Sequence, residues 1–252
     1  MITLKNISRY RAASTHLAIS ASVSALVLLA MLFLWYPPPL FMVLGGGVLA
    51  TLIIGVDMTL GPLITLIIFD TRKKELVFDL AIVVALQLGA LGYGIHIMYD
   101  ARPAFIVFTG QEFAVISVVD IDEKEQAMAR SHSNLTSPVL VAVQPPTDPK
   151  ELADINSYSF FGLGIQHHPK YYIPYADNRQ QAIKASRPLS DLKPEPQDKE
   201  RLEKYLQQSV RNADKLRFLP VTTERKQLTA VIDASSGDLM EILDIKPSVE
   251  KH

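Results

Sequence analysis

The sequence contains no cysteine. That excludes thiol nucleophiles, thiolate zinc sites and disulfides, while leaving the compartment open, since exported domains do not all carry disulfides. Neither sign of charge prevails: 25 Lys and Arg stand against 26 Asp and Glu, so nothing favours nucleic acid or an anionic surface as a partner. Charge is instead missing from one region. Residues 12–69 hold no Lys or Arg and a single acid, Asp57. Also missing are a phosphate-cradling glycine loop and a nucleophile elbow, and no cofactor is implied. Residues 99–252, by contrast, carry 22 of the acids and 19 of the bases, an ordinary soluble composition.

What is present in the first hundred residues is apolar length. Leu17–Tyr36 matches the roughly 30 Å hydrocarbon core at about 1.5 Å per residue, and it ends in Trp35-Tyr36, rings that favour the interface. A cleavable signal peptide is the competing reading, but the apolar run is too long for a signal core and Pro37-Pro38-Pro39 looks like a turn. Leu40–Phe69 is longer than one straight crossing needs, so it must tilt, break or leave one end outside. Gly45-Gly46-Gly47, Gly55 and Gly61-Pro62 are places to bend. The third run is Leu76–Met98. Lys5, Arg9 and Arg11 place the N-terminus in the cytoplasm, and Arg72, Lys73 and Lys74 return to the same side. The expected organisation is a cytoplasmic segment 1–16, a transmembrane module 17–98 (17–36, 40–69 and 76–98) and an outer domain 99–252.

Asp57 lies twelve residues, or roughly 18 Å, from Phe69 along a straight helix. A carboxylate at that depth costs at least about 2.5–3.5 kcal/mol on insertion scales. Three roles compete. It bonds within the bundle, for instance to Gln87, Ser20, Ser22 or Ser24; it faces a partner's membrane helix; or it caps a second half-helix beginning near Met58, with Thr59, Gly61 and Pro62 in the new first turn. Paired with Asp79 it would resemble an intramembrane aspartyl protease, but those enzymes place Gly before the catalytic Asp and Val56 stands there. The third helix carries small residues, Ala81, Ala85, Gly89 and Gly92, at a spacing that admits a neighbouring helix, either its own or a foreign one.

After Arg102-Pro103 the pattern becomes that of an α+β domain of roughly 150 residues. AFIVFTGQEFAVISVVDI predicts two strands about a turn at Thr109–Glu112, and VLVAV another strand. Helices are expected at Asp122–Arg130, at Asp148–Ile155 with Asp148 as cap, and near Asp198–Ala213. QLTAVIDASSGDLMEILDI predicts a terminal hairpin about Ser235–Asp238. Ser157–Pro196 resists assignment. His167-His168 with Asp177 would be metal ligands only if a third ligand completed the set, and none is spaced to do so. HHPKYYIPY is either an interaction surface or a packed loop. Asn134-Leu135-Thr136 matches a glycosylation sequon, a frequent chance match.

Taken together, GVDMTLGPLITLIIFDTRKKELVFDL and the ARP that follows resemble the signature of the type IV pilin accessory proteins, the TfpX/TfpZ group. The matching residues are Asp57, Thr59, Leu60, Gly61 and Pro62; Phe69, Asp70, Arg72, Lys73 and Lys74; Phe78, Asp79 and Leu80; and Ala101, Arg102 and Pro103. Thr71 departs from the pattern. The resemblance covers roughly residues 50–108. It implies a non-enzymatic protein of the bacterial inner membrane with a periplasmic domain, one that assists the major type IV pilin through its membrane helix and globular head and contacts the pilus assembly machinery. A membrane-anchored ligand-binding or sensor module is the alternative, with Ser157–Tyr175 as its site.

Overall fold

The computed structural model describes residues 7–159, 163–209 and 213–248. Lys5 of the first basic cluster, residues 160–162 of the unassigned middle and residues 210–212 of the expected helix lie outside the described residues. The chain divides into two compact units, and the division is not a single cut. One unit takes residues up to Phe33 together with Gly45–Asp100; the other takes Leu34–Leu44 together with the chain from Ala101 onward.

The first unit is helical. Helix α1 spans Arg9–Ala30 and runs on as a π-helical turn, Met31–Trp35. Ser8 caps its start, accepting from the Arg11 amide at 3.3 Å. Helix α3 spans Gly46–Ile68 and α4 spans Leu76–Asp100. All three are long and apolar enough to cross a membrane. Helix α3 is the middle one, packed against α1 on one side and α4 on the other. The turn between α3 and α4 is organised by Asp70, whose carboxylate accepts from the Arg72 amide at 3.0 Å and from its guanidinium at 3.1 Å. Those bonds hold the Asp70 carboxyl below the usual carboxylate range. Thr71 is exposed in the same turn.

The apolar stretch Leu40–Phe69 is not one crossing. It divides at Gly45, whose left-handed backbone (φ 82°) suits a residue without Cβ. Leu40–Val43 forms a short helix, α2, that belongs to the second unit. There Leu40 and Val43 join a buried cluster with Phe108, Phe113, Tyr175 and Leu219. Apolar residues are equally at home in lipid or in a protein core; here Leu40, Phe41 and Val43 are buried while Met42 stays exposed.

The second unit is built on an eight-stranded mixed sheet in the order β4-β3-β1-β2-β6-β7-β8, with β5 paired to β6 off this path. The strands are β1 Pro103–Phe108, β2 Phe113–Ser117, β3 Val139–Val143, β4 Tyr172–Pro174, β5 Arg187–Pro188, β6 Leu216–Thr222, β7 Gln227–Asp233 and β8 Leu239–Leu243. Its helices are α5 Glu123–His132, α6 Pro149–Ser159, α7 Arg179–Ala185 and α8 Lys199–Gln208. Alternation along each strand sends side chains to both faces. Ile106, Phe108, Val115 and Leu219 lie with α2 and with Ala182 of α7. Phe105, Val107, Ile116 and Val141 lie with Ala129 of α5, while Leu216, Phe218 and Val231 lie with Leu202 of α8. The fold is three membrane-length helices followed by a mixed-sheet α+β domain, the class the sequence indicates. Strand β6 was not expected, and Pro220 in its middle hides it.

Candidate functional site

The charge that stood out in the apolar sequence sits at a three-helix junction. Asp57 is buried in the middle of an unbroken α3. From α4, Gln87 Nε2 donates to Asp57 Oδ1 at 2.9 Å and to the Asp57 carbonyl at 3.2 Å. From α1, Ser24 Oγ donates to Oδ2 at 3.4 Å. Asp57 therefore caps no half-helix. The break expected beside it lies at Gly45 instead, because a bonded carboxylate is tolerated inside a helix whose own ladder continues. Ser20 is buried on the same side of α1, and Ser22 bonds back to its own helix at Ala18. A second cross-helix contact, His16 Nδ1 to Thr65 Oγ1 at 2.7 Å, ties α1 to α3 near the other end. The sequence does not point to this pair, because His16 lies just outside the expected span 17–36, whereas α1 already begins at Arg9.

The neighbouring motif residues divide by role. A Cβ on Gly61 would stand 2.0 Å from Gln87 Nε2, so this glycine leaves the space through which Gln87 reaches Asp57. Pro62 lies within α3 without ending it; its missing N–H removes one ladder bond. Thr59 is exposed and bonds to the Gly55 carbonyl at 2.6 Å. Asp79 lies in the first turn of α4 and pairs loosely with Lys73 at 3.7 Å. Gln87 marks the level of Asp57 on α4, and Asp79 is eight residues earlier, roughly 12 Å along the axis. The two carboxylates are not a dyad sharing a proton.

Ala81, Ala85, Gly89 and Gly92 are exposed, turned away from α3. A Cβ added at Gly89 or Gly92 would meet nothing within 4 Å. The close approach of α4 to α3 is made elsewhere, at Gly94 against Ile53. The small-residue stripe thus plays no part in packing the three helices together.

In the second unit the histidine- and tyrosine-rich segment is a packed loop. His167 Nδ1 meets the Asp120 carbonyl at 2.9 Å and His168 Nδ1 meets Glu125 at 3.0 Å. Tyr171 and Lys170 both bond Glu151, and Tyr175 donates to the Gly237 carbonyl at 2.6 Å from within the core. Asp177 is exposed. Among the described residues no three of His, Cys, Asp or Glu cluster as metal ligands. At the start of the second unit's main stretch Arg102 is buried and donates to the Asn134 carbonyl at 3.1 Å.

One acid beside this loop titrates unusually. Burial pushes Asp120 up to about 6, with Glu224 adding to the rise and the Ser117 amide, 2.7 Å away, opposing it. A raised carboxyl stabilises the fold below the ordinary carboxylate range, and that contribution is lost as pH climbs through about 6. Taking the full-length protein from pH 7 to pH 4 should therefore stabilise it, relative to Asp120→Asn, by about 1–2 kcal/mol after allowance for partial hydration. Paired denaturation curves of the two proteins at each pH check this. A difference that does not change with pH refutes it.

Comparison with known proteins places these features in context. Residues 5–45 match the family model described as fimbrial assembly protein FimB. The chain is 30% identical over 224 residues to a fimbrial assembly protein of serogroup I from Dichelobacter nodosus, covering 86% of this chain and 87% of that protein. It is 29% identical over 224 residues, with the same coverage, to the serogroup E1 protein of that bacterium. The protein of serogroups C1 and C2 is 37% identical over 116 residues, 44% of this chain and 88% of the relative. No solved structure matches.

Proposed function

From the premise that this chain belongs to the fimbrial assembly protein family, we propose that it is an inner-membrane accessory factor for the major type IV pilin. It holds the subunit before or during assembly and catalyses no reaction. Its N-terminus is cytoplasmic and its mixed-sheet domain periplasmic, as the two basic clusters favour. The observation that carries the partner contact is the outward stripe on α4. Small residues with open space above them are of no use to the protein's own packing, and they allow the backbone of a foreign membrane helix to approach closely. The polar junction at Asp57 then serves to hold α1, α3 and α4 in the arrangement that presents this stripe, and the outer domain meets the pilin head.

A photo-crosslinker at Gly89, with a second at Lys170, should trap pilin in living cells. Correctly inserted protein yielding no pilin adduct from either position overturns the proposal. Gly89→Leu fills space that no described residue occupies. It should leave the protein's level and melting unchanged while reducing surface pili several-fold, counted by electron microscopy.

A further inference from the structure

The sheet of the second unit has a gap. On one side β6 pairs with β5 at Arg217 and Phe218, and with β2 at Val221 and Thr222. Between these two partial partners Leu219 and Pro220 have no strand beside them on this side, while β7 pairs with them on the other. A cleft of about 500 Å³ opens at this place, between the β1–β2 turn, the end of α7 and β5. Half-buried Pro220 and Ala185 give it an apolar lining beside the buried Phe218, and its rim carries Gln111, Gln181, Lys184 and Arg187. Gly110 at the turn brings the backbone close to α7, for a Cβ there would stand 3.1 Å from Gln181 Nε2.

The charges of the rim are uncompensated. Ion pairs among the described residues engage Arg179, Lys170, Arg201, Lys226 and Lys246 and leave Lys184 and Arg187 without a carboxylate. Arg217, the next cation along, is spent on Ser186. The acid of the turn, Glu112, is occupied by Thr222 Oγ1 at 2.9 Å.

We infer that this cleft binds an acidic peptide segment of a partner protein, its carboxylates on Lys184 and Arg187 and an apolar side chain on Pro220 and Ala185. Lys184 lies in the last turn of α7 and Arg187 follows it. The helix end there presents carbonyls, which oppose a compact dianion such as phosphate, whereas separated single carboxylates can each take one cation. The amides of Gln111 and Gln181 supply hydrogen bonds to a peptide backbone. The inference rests on the assembly reading only for the source of the segment; peptide binding by the purified protein does not depend on it.

The test uses the full-length protein in nanodiscs and a fluorescein-labelled octapeptide of alternating Glu and Leu, followed by anisotropy. Wild type should bind it, the Lys counterpart of the peptide should not bind, and Lys184→Glu with Arg187→Glu should weaken binding by about tenfold or more. Raising salt should also weaken it. Both side chains are exposed, and an unchanged melting curve certifies the variant's fold. Equal binding by the double variant overturns the site, and displacement of the peptide by equimolar inorganic phosphate overturns the peptide assignment. Pilin crosslinking from Gly89 that survives the double variant leaves the assembly reading standing when this one falls.

Discussion

Residues 101–252 produced alone should show no cooperative unfolding transition and should expose apolar surface to a reporter dye. The reason is the membership of Leu34–Leu44 in the second unit. Leu40, Phe41 and Val43 are all buried, and Leu40 and Val43 pack within the principal cluster of the domain. Burial of three such side chains contributes about 4–8 kcal/mol, an upper figure because the unfolded chain hides some of that surface. The net stability of a domain is about 5–15 kcal/mol, so the loss takes most of it. Joining residues 34–44 ahead of residue 101 through a flexible Gly/Ser linker should restore a cooperative melt. In the full-length protein Leu40→Ala should cost about 2–5 kcal/mol, read as faster proteolysis of the mixed-sheet domain. A sharp melt of the bare fragment, unmoved by adding the loop, contradicts the account.

The second large effect lies at the helix junction. Gly61→Ala forces Gln87 aside, since the new Cβ would overlap its amide nitrogen at 2.0 Å. Asp57 then keeps only the 3.4 Å bond from Ser24. Losing a cross-helix bond and leaving a buried carboxylate poorly partnered should cost about 1–3 kcal/mol of bundle stability. Gln87→Ala should cost a similar amount. The double variant should be no worse than either single one, because the space at Gly61 matters only while Gln87 fills it. Unfolding in mixed micelles, followed by circular dichroism, measures the cycle, and additive costs would refute the coupling. Asp57→Asn preserves an acceptor facing Gln87, so it should retain pilus assembly. Abolished assembly at normal protein level would reopen the reading of Asp57 as a reactive group.

The membrane helices were legible because uncharged apolar runs of this length suit the bilayer and little else, and the β1–β2 and β7–β8 hairpins because alternation and turn residues coincide. Strand β6 was hidden by Pro220, which ordinarily argues against an inner strand. The structure resolves this by leaving one side of β6 unpaired at that residue. The place of Leu40–Val43 was left open for a different reason, since hydropathy does not record which apolar medium receives a side chain. The excess length of the run and its three consecutive glycines were the available clues. At the site, the chain named Asp57, Gln87 and Ser24 as polar residues of facing spans, but not that Gly61 is the opening between two of them. That is a property of helix rotation, which a run this uniformly apolar does not encode. The cationic cleft was invisible, being assembled from residues as distant in the chain as Gly110 and Pro220.

The loop before α3 has one more consequence, for biosynthesis. Residues 34–44 emerge from the ribosome long before the strands that enclose them. The second unit reaches its final core only if that early segment waits in the same compartment. Two membrane-length helices, α3 and α4, lie between residues 34–44 and residue 101, so a chain in which only one of them crossed would strand the loop across the bilayer and leave an incomplete core open to proteases. Completion of that core is thereby tied to both crossings being made.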